Sequence, residues 1–168
     1  VKSFYVKYDR KLPELVADFC QYYAPFPLHE VIFYYDSTAL GSNYAVNDQD
    51  FQWVITHELQ KHGWRVRPVY IGAPMRHMEK YTLINRGFAG QARLVPYFNE
   101  AQNQDLLVSV QTAGVYNGKK DKRGEKLAET EEDKLESRTD GSDAFDTLYI
   151  GCERFPQQVF VLRVTGGG

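Results

Sequence analysis

The sequence predicts an α/β domain with a largely parallel sheet. Segments with strand-like apolar runs alternate with segments of helical apolar spacing. Short connections rich in Gly, Ser, Asn and Pro separate them. The chain of 168 residues, 43% hydrophobic and 25% charged, has a globular composition and enough length for one cored domain.

The elements follow in order. "KSFYVKY" reads as a first strand. Residues 9–24, "DRKLPELVADFCQYYA", carry Leu12, Leu15, Val16, Phe19, Cys20 and Tyr23 on one helical face, and Pro13 suits the first turn. "PFPLHE" breaks that helix, and "EVIFYYD" is the next strand. A Gly/Ser/Asn loop leads into "DFQWVITHELQKHG", with Phe51, Val54, Ile55 and Leu59 on one face and Gly63 as its C-terminal cap. "WRVRPVYIG" is a strand and "MRHMEKYTLINRGF" a helix. "RLVPYFN" reads as a short edge strand, where Pro96 is tolerated. "NQDLLVSVQTAGVY" and "SDAFDTLYIGCERF" read as helices, and "QQVFVLRVT" as a closing strand. Residues 117–141 have almost no apolar side chains and split into a basic front and an acidic rear. A loop of that length is either a solvated connection or a flap at a site.

The net charge of -2 gives no global signal for nucleic acid, but a local basic site remains open. No apolar run approaches the ~20 residues that span a bilayer, and no charged-then-apolar leader is present. Cys20 and Cys152 sit far apart in helical patterns and read as reduced core residues, fitting a cytosolic setting. The chain opens at Val1 inside an apparent strand, so it is expected to be an excised part of a longer protein.

Several chemistries are disfavoured by spacing. "GVYNGKK" is one residue short of a phosphate loop, puts Lys120 where the hydroxyl belongs and follows a helix. In "HELQKH", His57 and His62 are five apart, about 140° around a helix, so they do not share a zinc-binding face. Two acidic features remain. Asp36 ends an apolar strand, where open parallel sheets place their ligands; it is either a turn cap with Ser37 and Thr38 or a ligand. Asp140, Asp143 and Asp146 crowd a helix start, more acid than capping needs. A helical wheel puts Asp143 nearer buried surface and Asp146 beside Glu153 on the wet side. An acid at a strand end and an acid opening a late helix is the layout of a two-metal phosphoryl-transfer site, and carboxylates suit Mg²⁺ or Mn²⁺.

"VIFYYDSTA", the helix after it, "HGWRVRPVYI" and "TDGSDAFDTLYIG" together resemble the nuclease domain of the large terminase subunit of tailed bacteriophages. The resemblance implies a ribonuclease H-like fold: a mixed, mostly parallel sheet flanked by helices. It implies metal-dependent hydrolysis of DNA phosphodiesters to cut concatemers during packaging. By position, Asp36 and Asp143 would be catalytic metal ligands, with Asp140 as a third. The family carries another acid on its first strand, whereas "KSFYVKY" is similar to its third. Residues 1–168 are therefore expected to form a single nuclease-like domain without its first strands and without the preceding ATPase. Implied partners are double-stranded DNA, the terminase small subunit and the portal, in the host bacterial cytoplasm. Lys119, Lys120, Lys122 and Arg123, at the basic front of the long loop, are the expected DNA contacts. The alternatives are a non-catalytic DNA-gripping or assembly module and another ribonuclease H-like nuclease or resolvase.

Overall fold

The computed structural model describes residues 1–4, 10–40, 50–123 and 139–156. These form an α/β arrangement of five helices, a two-stranded parallel sheet and a short antiparallel hairpin. Helix α1 (Leu12–Tyr23) precedes strand β1 (Glu30–Tyr35). Helix α2 (Phe51–Lys61) then crosses to strand β2 (Arg65–Tyr70), which pairs parallel to β1 with Val31 opposite Val66 and Tyr35 opposite Tyr70. Helix α3 (His77–Phe88) and helix α4 (Gln104–Thr112) follow. The hairpin of β3 (Val115–Tyr116) and β4 (Lys119–Lys120) comes next, and helix α5 (Asp140–Arg154) ends the described chain.

The helices start where the local chemistry dictates. Pro13 lies in the first turn of α1, and the Lys11 backbone N–H donates to Glu14 Oε2 at 2.8 Å. Asp50 caps α2, its Oδ1 accepting from Trp53 N at 2.7 Å. Gly63 leaves α2 at φ 78°, a left-handed conformation that a glycine adopts without strain.

One apolar cluster covers one face of the sheet, and helix α5 covers the other. Val16 and Cys20 of α1, Leu59 of α2 and Trp64 form that cluster, and Val31 and Val66 pack onto it from the strands. Successive strand residues point to opposite faces. Tyr34 accordingly faces α5, against Gly151, and its hydroxyl donates to the Phe155 carbonyl at 3.1 Å. Beyond α5 lies the second cluster, built on Leu106, Phe145 and Tyr149 with Leu83, Ile84 and Phe98. Helix α5 is thus held between the sheet and α3/α4. Two close approaches fix it there. A Cβ on Gly87 would strike the Tyr149 ring, and one on Gly141 would come within 3.0 Å of Ser109 Cβ.

Three expectations need correction or limits. "RLVPYFN" is not a strand, because its main chain is bonded elsewhere. The Arg93 and Leu94 N–H groups donate to the Glu153 carboxylate at 3.1 and 3.0 Å, leaving no ladder to form. Helix α4 stops at Thr112 rather than running to Tyr116. Asn117 (φ 49°) and Gly118 (φ 71°) make a two-residue left-handed turn, so Val115–Tyr116 pair back onto Lys119–Lys120. The first strand falls partly, and the closing strand wholly, outside the described residues; residues 1–4 have no regular structure. Cys20 and Cys152 are free thiols on different helices, the first buried and the second half-buried.

Candidate active site

Asp36 follows β1 at its carboxyl end, where the backbone turns into a 3-10 segment (Ser37–Leu40). Its Oδ1 accepts from Thr38 N at 2.9 Å and from Thr38 Oγ1 at 2.5 Å. Ser37 N donates to the Gly72 carbonyl at 3.1 Å, tying this turn to the loop that leaves β2. The carboxylate is therefore both a turn cap and an oriented group. Among the described residues nothing bonds its Oδ2.

Asp36 lines a cleft of about 330 Å³. The other walls are the β2–α3 loop with Arg76, His77 and Lys80 of α3, and Asp146 and Arg154 of α5. The acid facing Asp36 across this cleft is Asp146, not Asp143. Asp146 is only 7% exposed, which overturns the wheel reading of it as the solvated member. A wheel sees one helix, whereas here Lys80 of α3 and Lys120 of the hairpin both reach over it, at 2.7 and 2.8 Å from its Oδ2.

Asp143 lies one turn earlier and is half-buried. Lys120 Nζ donates to Asp143 Oδ1 at 2.7 Å, to Asp146 Oδ2 at 2.8 Å and to Ser142 Oγ at 2.9 Å. An ammonium has three N–H groups, so Lys120 has spent all of them. Lys122 donates to Asp143 Oδ2 at 2.8 Å. Burial pushes the Asp143 carboxyl pKa up, but the Lys120 and Lys122 bonds outweigh it and hold it below the ordinary value. His77 is shifted the other way from a typical paired histidine. Burial lowers its pKa, and the charges of Lys80 and Lys120 lower it further. Asp140 is exposed at the start of α5 and lines neither this cleft nor the cavity beside it.

The four expected DNA-contacting cations are not one free basic patch. Lys120 has a side chain only 9% exposed and is committed to the acids of α5. Lys122 is engaged with Asp143, and Arg123 pairs with Asp121 at 2.7 Å while stacking 3.8 Å from the Tyr116 ring centroid. Lys119 is exposed.

Hard carboxylate donors suit Mg²⁺ or Mn²⁺, and Asp36 fits that role with its fixed geometry and free Oδ2. Asp143 and Asp146 fit it only with Lys120 withdrawn, because an ammonium now sits between them. Among the described residues no group of three or more His, Cys, Asp or Glu gathers as a metal cluster. Two features of this site go beyond the sequence motifs. The hairpin was legible in the dipeptide Asn117-Gly118, a strong two-residue turn signal. Lys80 lay in no motif, and nothing local to it predicts its meeting with Asp146.

No family model, curated protein or solved structure matches the chain.

Proposed function

We propose that this chain is nuclease machinery of a tailed-phage packaging terminase, with a ribonuclease H-like fold, hydrolysing DNA phosphodiesters with Mg²⁺ or Mn²⁺. The observation that supports it best is the placement of Asp36 at the carboxyl end of a parallel strand pair, across one cleft from an acid-bearing helix. Asp36 would hold a cation, and by resemblance Asp143 would hold one once Lys120 is withdrawn from it, with Asp140 as the third acid. Bound cations would supply positive charge at the scissile phosphate and make water a stronger nucleophile near neutral pH. Thr38 aims the Asp36 carboxylate, and Asp146 anchors Lys80 on the same cleft, with Lys120 holding Asp146 from the hairpin. Duplex DNA, the small subunit and the portal are the partners this reading names, in the host bacterial cytoplasm.

One observation favours the second reading, a DNA-gripping module without catalysis. Lys120 already neutralises Asp143 and Asp146, as a residual acidic site would need. Mn²⁺ titration and Mn²⁺-dependent plasmid nicking separate the two. The nuclease reading expects saturable Mn²⁺ binding and, in a chain extended to include the first-strand acid, nicking that Asp36→Asn and Asp143→Asn each abolish. Unimpaired nicking by both variants would sink the assignment of ligands. Duplex binding without Mn²⁺ binding or nicking would establish the gripping module.

A further inference from the structure

The two lysines on Asp146 are not equivalent. Lys120 has spent all three N–H groups on Ser142, Asp143 and Asp146. Lys80 has a side chain 16% exposed, and its one ion pair among the described residues is with Asp146. It lines both the cleft that holds Asp36 and a smaller cavity of about 120 Å³ between α3, α4 and the hairpin. Lys80 is therefore a half-buried cation on the cleft wall with donors left over. An ammonium held at a cleft wall with N–H groups beyond its ion pair can donate them to an acceptor that enters the cleft.

The local charge points the same way. Asp146 is one carboxylate shared by two ammonium groups, and Asp143 is matched by Lys122. On the cleft lining Arg76, Lys80 and Arg154 are matched by Asp36, Glu79 and Asp146, and Lys120, reaching Asp146 from outside the lining, tips the balance towards positive charge. Arg76 and Arg154 line the same cleft, are exposed, and pair with no carboxylate among the described residues. Glu79, also exposed on the lining, is the counterweight at the rim. A phosphodiester carries one negative charge and oxygen acceptors that suit an ammonium held in place.

We propose that Lys80 is a positioning residue for the substrate backbone: anchored by Asp146, its ammonium receives a non-bridging phosphate oxygen of duplex DNA beside Asp36. The inference rests on the nuclease reading and names the side chain that receives the substrate. Arg76 and Arg154 then lie against neighbouring phosphates along the strand.

The test is a salt titration of binding to a short labelled duplex in EDTA, alongside Mn²⁺-dependent nicking in the extended chain, for wild type, Lys80→Gln and Lys80→Arg. Asp146 keeps Lys120 when Lys80 is removed, so Lys80→Gln leaves no buried carboxylate unpaired. It is expected to lose several-fold in affinity at low salt. The slope of log affinity against log salt is expected to shrink by about 0.9, one phosphate contact. Lys80→Arg is expected to restore both. A second measurement needs no variant: duplex is expected to protect Lys80 from acetylation while Lys61, exposed at the end of α2, labels normally.

Equal affinity and slope in Lys80→Gln, in a wild type that nicks, overturns the Lys80 assignment and leaves the nuclease reading standing. Lost nicking with unchanged binding also overturns it, since Lys80 would then act only on Asp146. Unchanged Lys80 acetylation with duplex bound overturns it independently of how the variants fold. A wild type that neither binds duplex nor nicks overturns both readings. Inorganic phosphate is expected to compete weakly; tight phosphate binding with no duplex binding assigns the cleft to a free anion and overturns the proposal.

Discussion

Asp36 takes its hydrogen bonds from Thr38, two residues along the chain, whereas Asp146 takes its ion pairs from Lys80 and Lys120 on two other elements. Both acids line one cleft, yet one is held by local backbone geometry and the other by the tertiary fold. The strand-end acid is in place once its own turn forms. The helix acid is in place only when α3, the hairpin and α5 have docked together.

Removing each carboxylate is the strongest way to break this contrast. Asp146→Ala strips the anion from beneath two largely buried ammonium groups, and Lys80 loses its one ion pair among the described residues. Breaking a buried pair from one side costs on the order of 3 kcal/mol or more. Asp36→Ala removes only turn hydrogen bonds, worth about 1 kcal/mol. Urea unfolding of the two variants measures both. Equal losses would mean that the lysines do not depend on Asp146 for their place.

The hairpin offers a smaller perturbation that should be felt at Asp146 and not at Asp36. Gly118→Ala puts a Cβ on a residue at φ 71°, costing about 1 kcal/mol. Because β4 carries Lys120 to Asp143 and Asp146, hydrogen exchange in the first turns of α5 is expected to quicken. Exchange in the Ser37–Leu40 turn is expected to stay as it was. Equal change at both places would erase the distinction between local and tertiary support.

The smallest expected effect lies in the pH dependence. The Asp143 pKa is lowered on folding. Its contribution is complete above the ordinary carboxylate value of about 4 and is lost as pH falls through the lowered one. The His77 pKa is also lowered. The folded state favours its neutral form, so that contribution is present above about 6.5 and lost as pH falls below it. His77→Gln is expected to flatten the stability curve in the mildly acidic range, and Asp143→Asn only at more acid pH. A His77→Gln curve identical to wild type between those limits would contradict the lowering of the His77 pKa by partial burial and the charges of Lys80 and Lys120.

The same contrast explains what was legible in the sequence. Helices α1, α2, α3 and α5 and strands β1 and β2 follow from periodicity, Pro13, Asp50 and Gly63, all local signals. Asp36 at a strand end was readable for the same reason. "RLVPYFN" has a strand's composition, but Glu153, far along the chain, takes its N–H groups. Asp146 has a wet position on the wheel, but Lys80 and Lys120 cover it. In each case the deciding partner lies 26 to 66 residues away, beyond what periodicity reports. The turn at Asn117-Gly118 is different: it is locally encoded, yet residues 117–141 read as one long polar loop and Val115–Tyr116 as the end of a helix.

Gly151 has a further consequence. Helix α5 rests on β1 at this residue with no side chain of its own between them, and the Tyr34 ring fills the gap. Asp36 lies two residues beyond Tyr34, and Asp146 lies little more than one helical turn before Gly151. The contact therefore acts as a calliper: the thickness of one aromatic ring sets the opening between the two acids. A hairpin that swings away, taking Lys120 with it, would change the charge in the cleft and leave its width alone. Gauge and charge are set by separate parts of the chain, so each can be altered while the other is held constant.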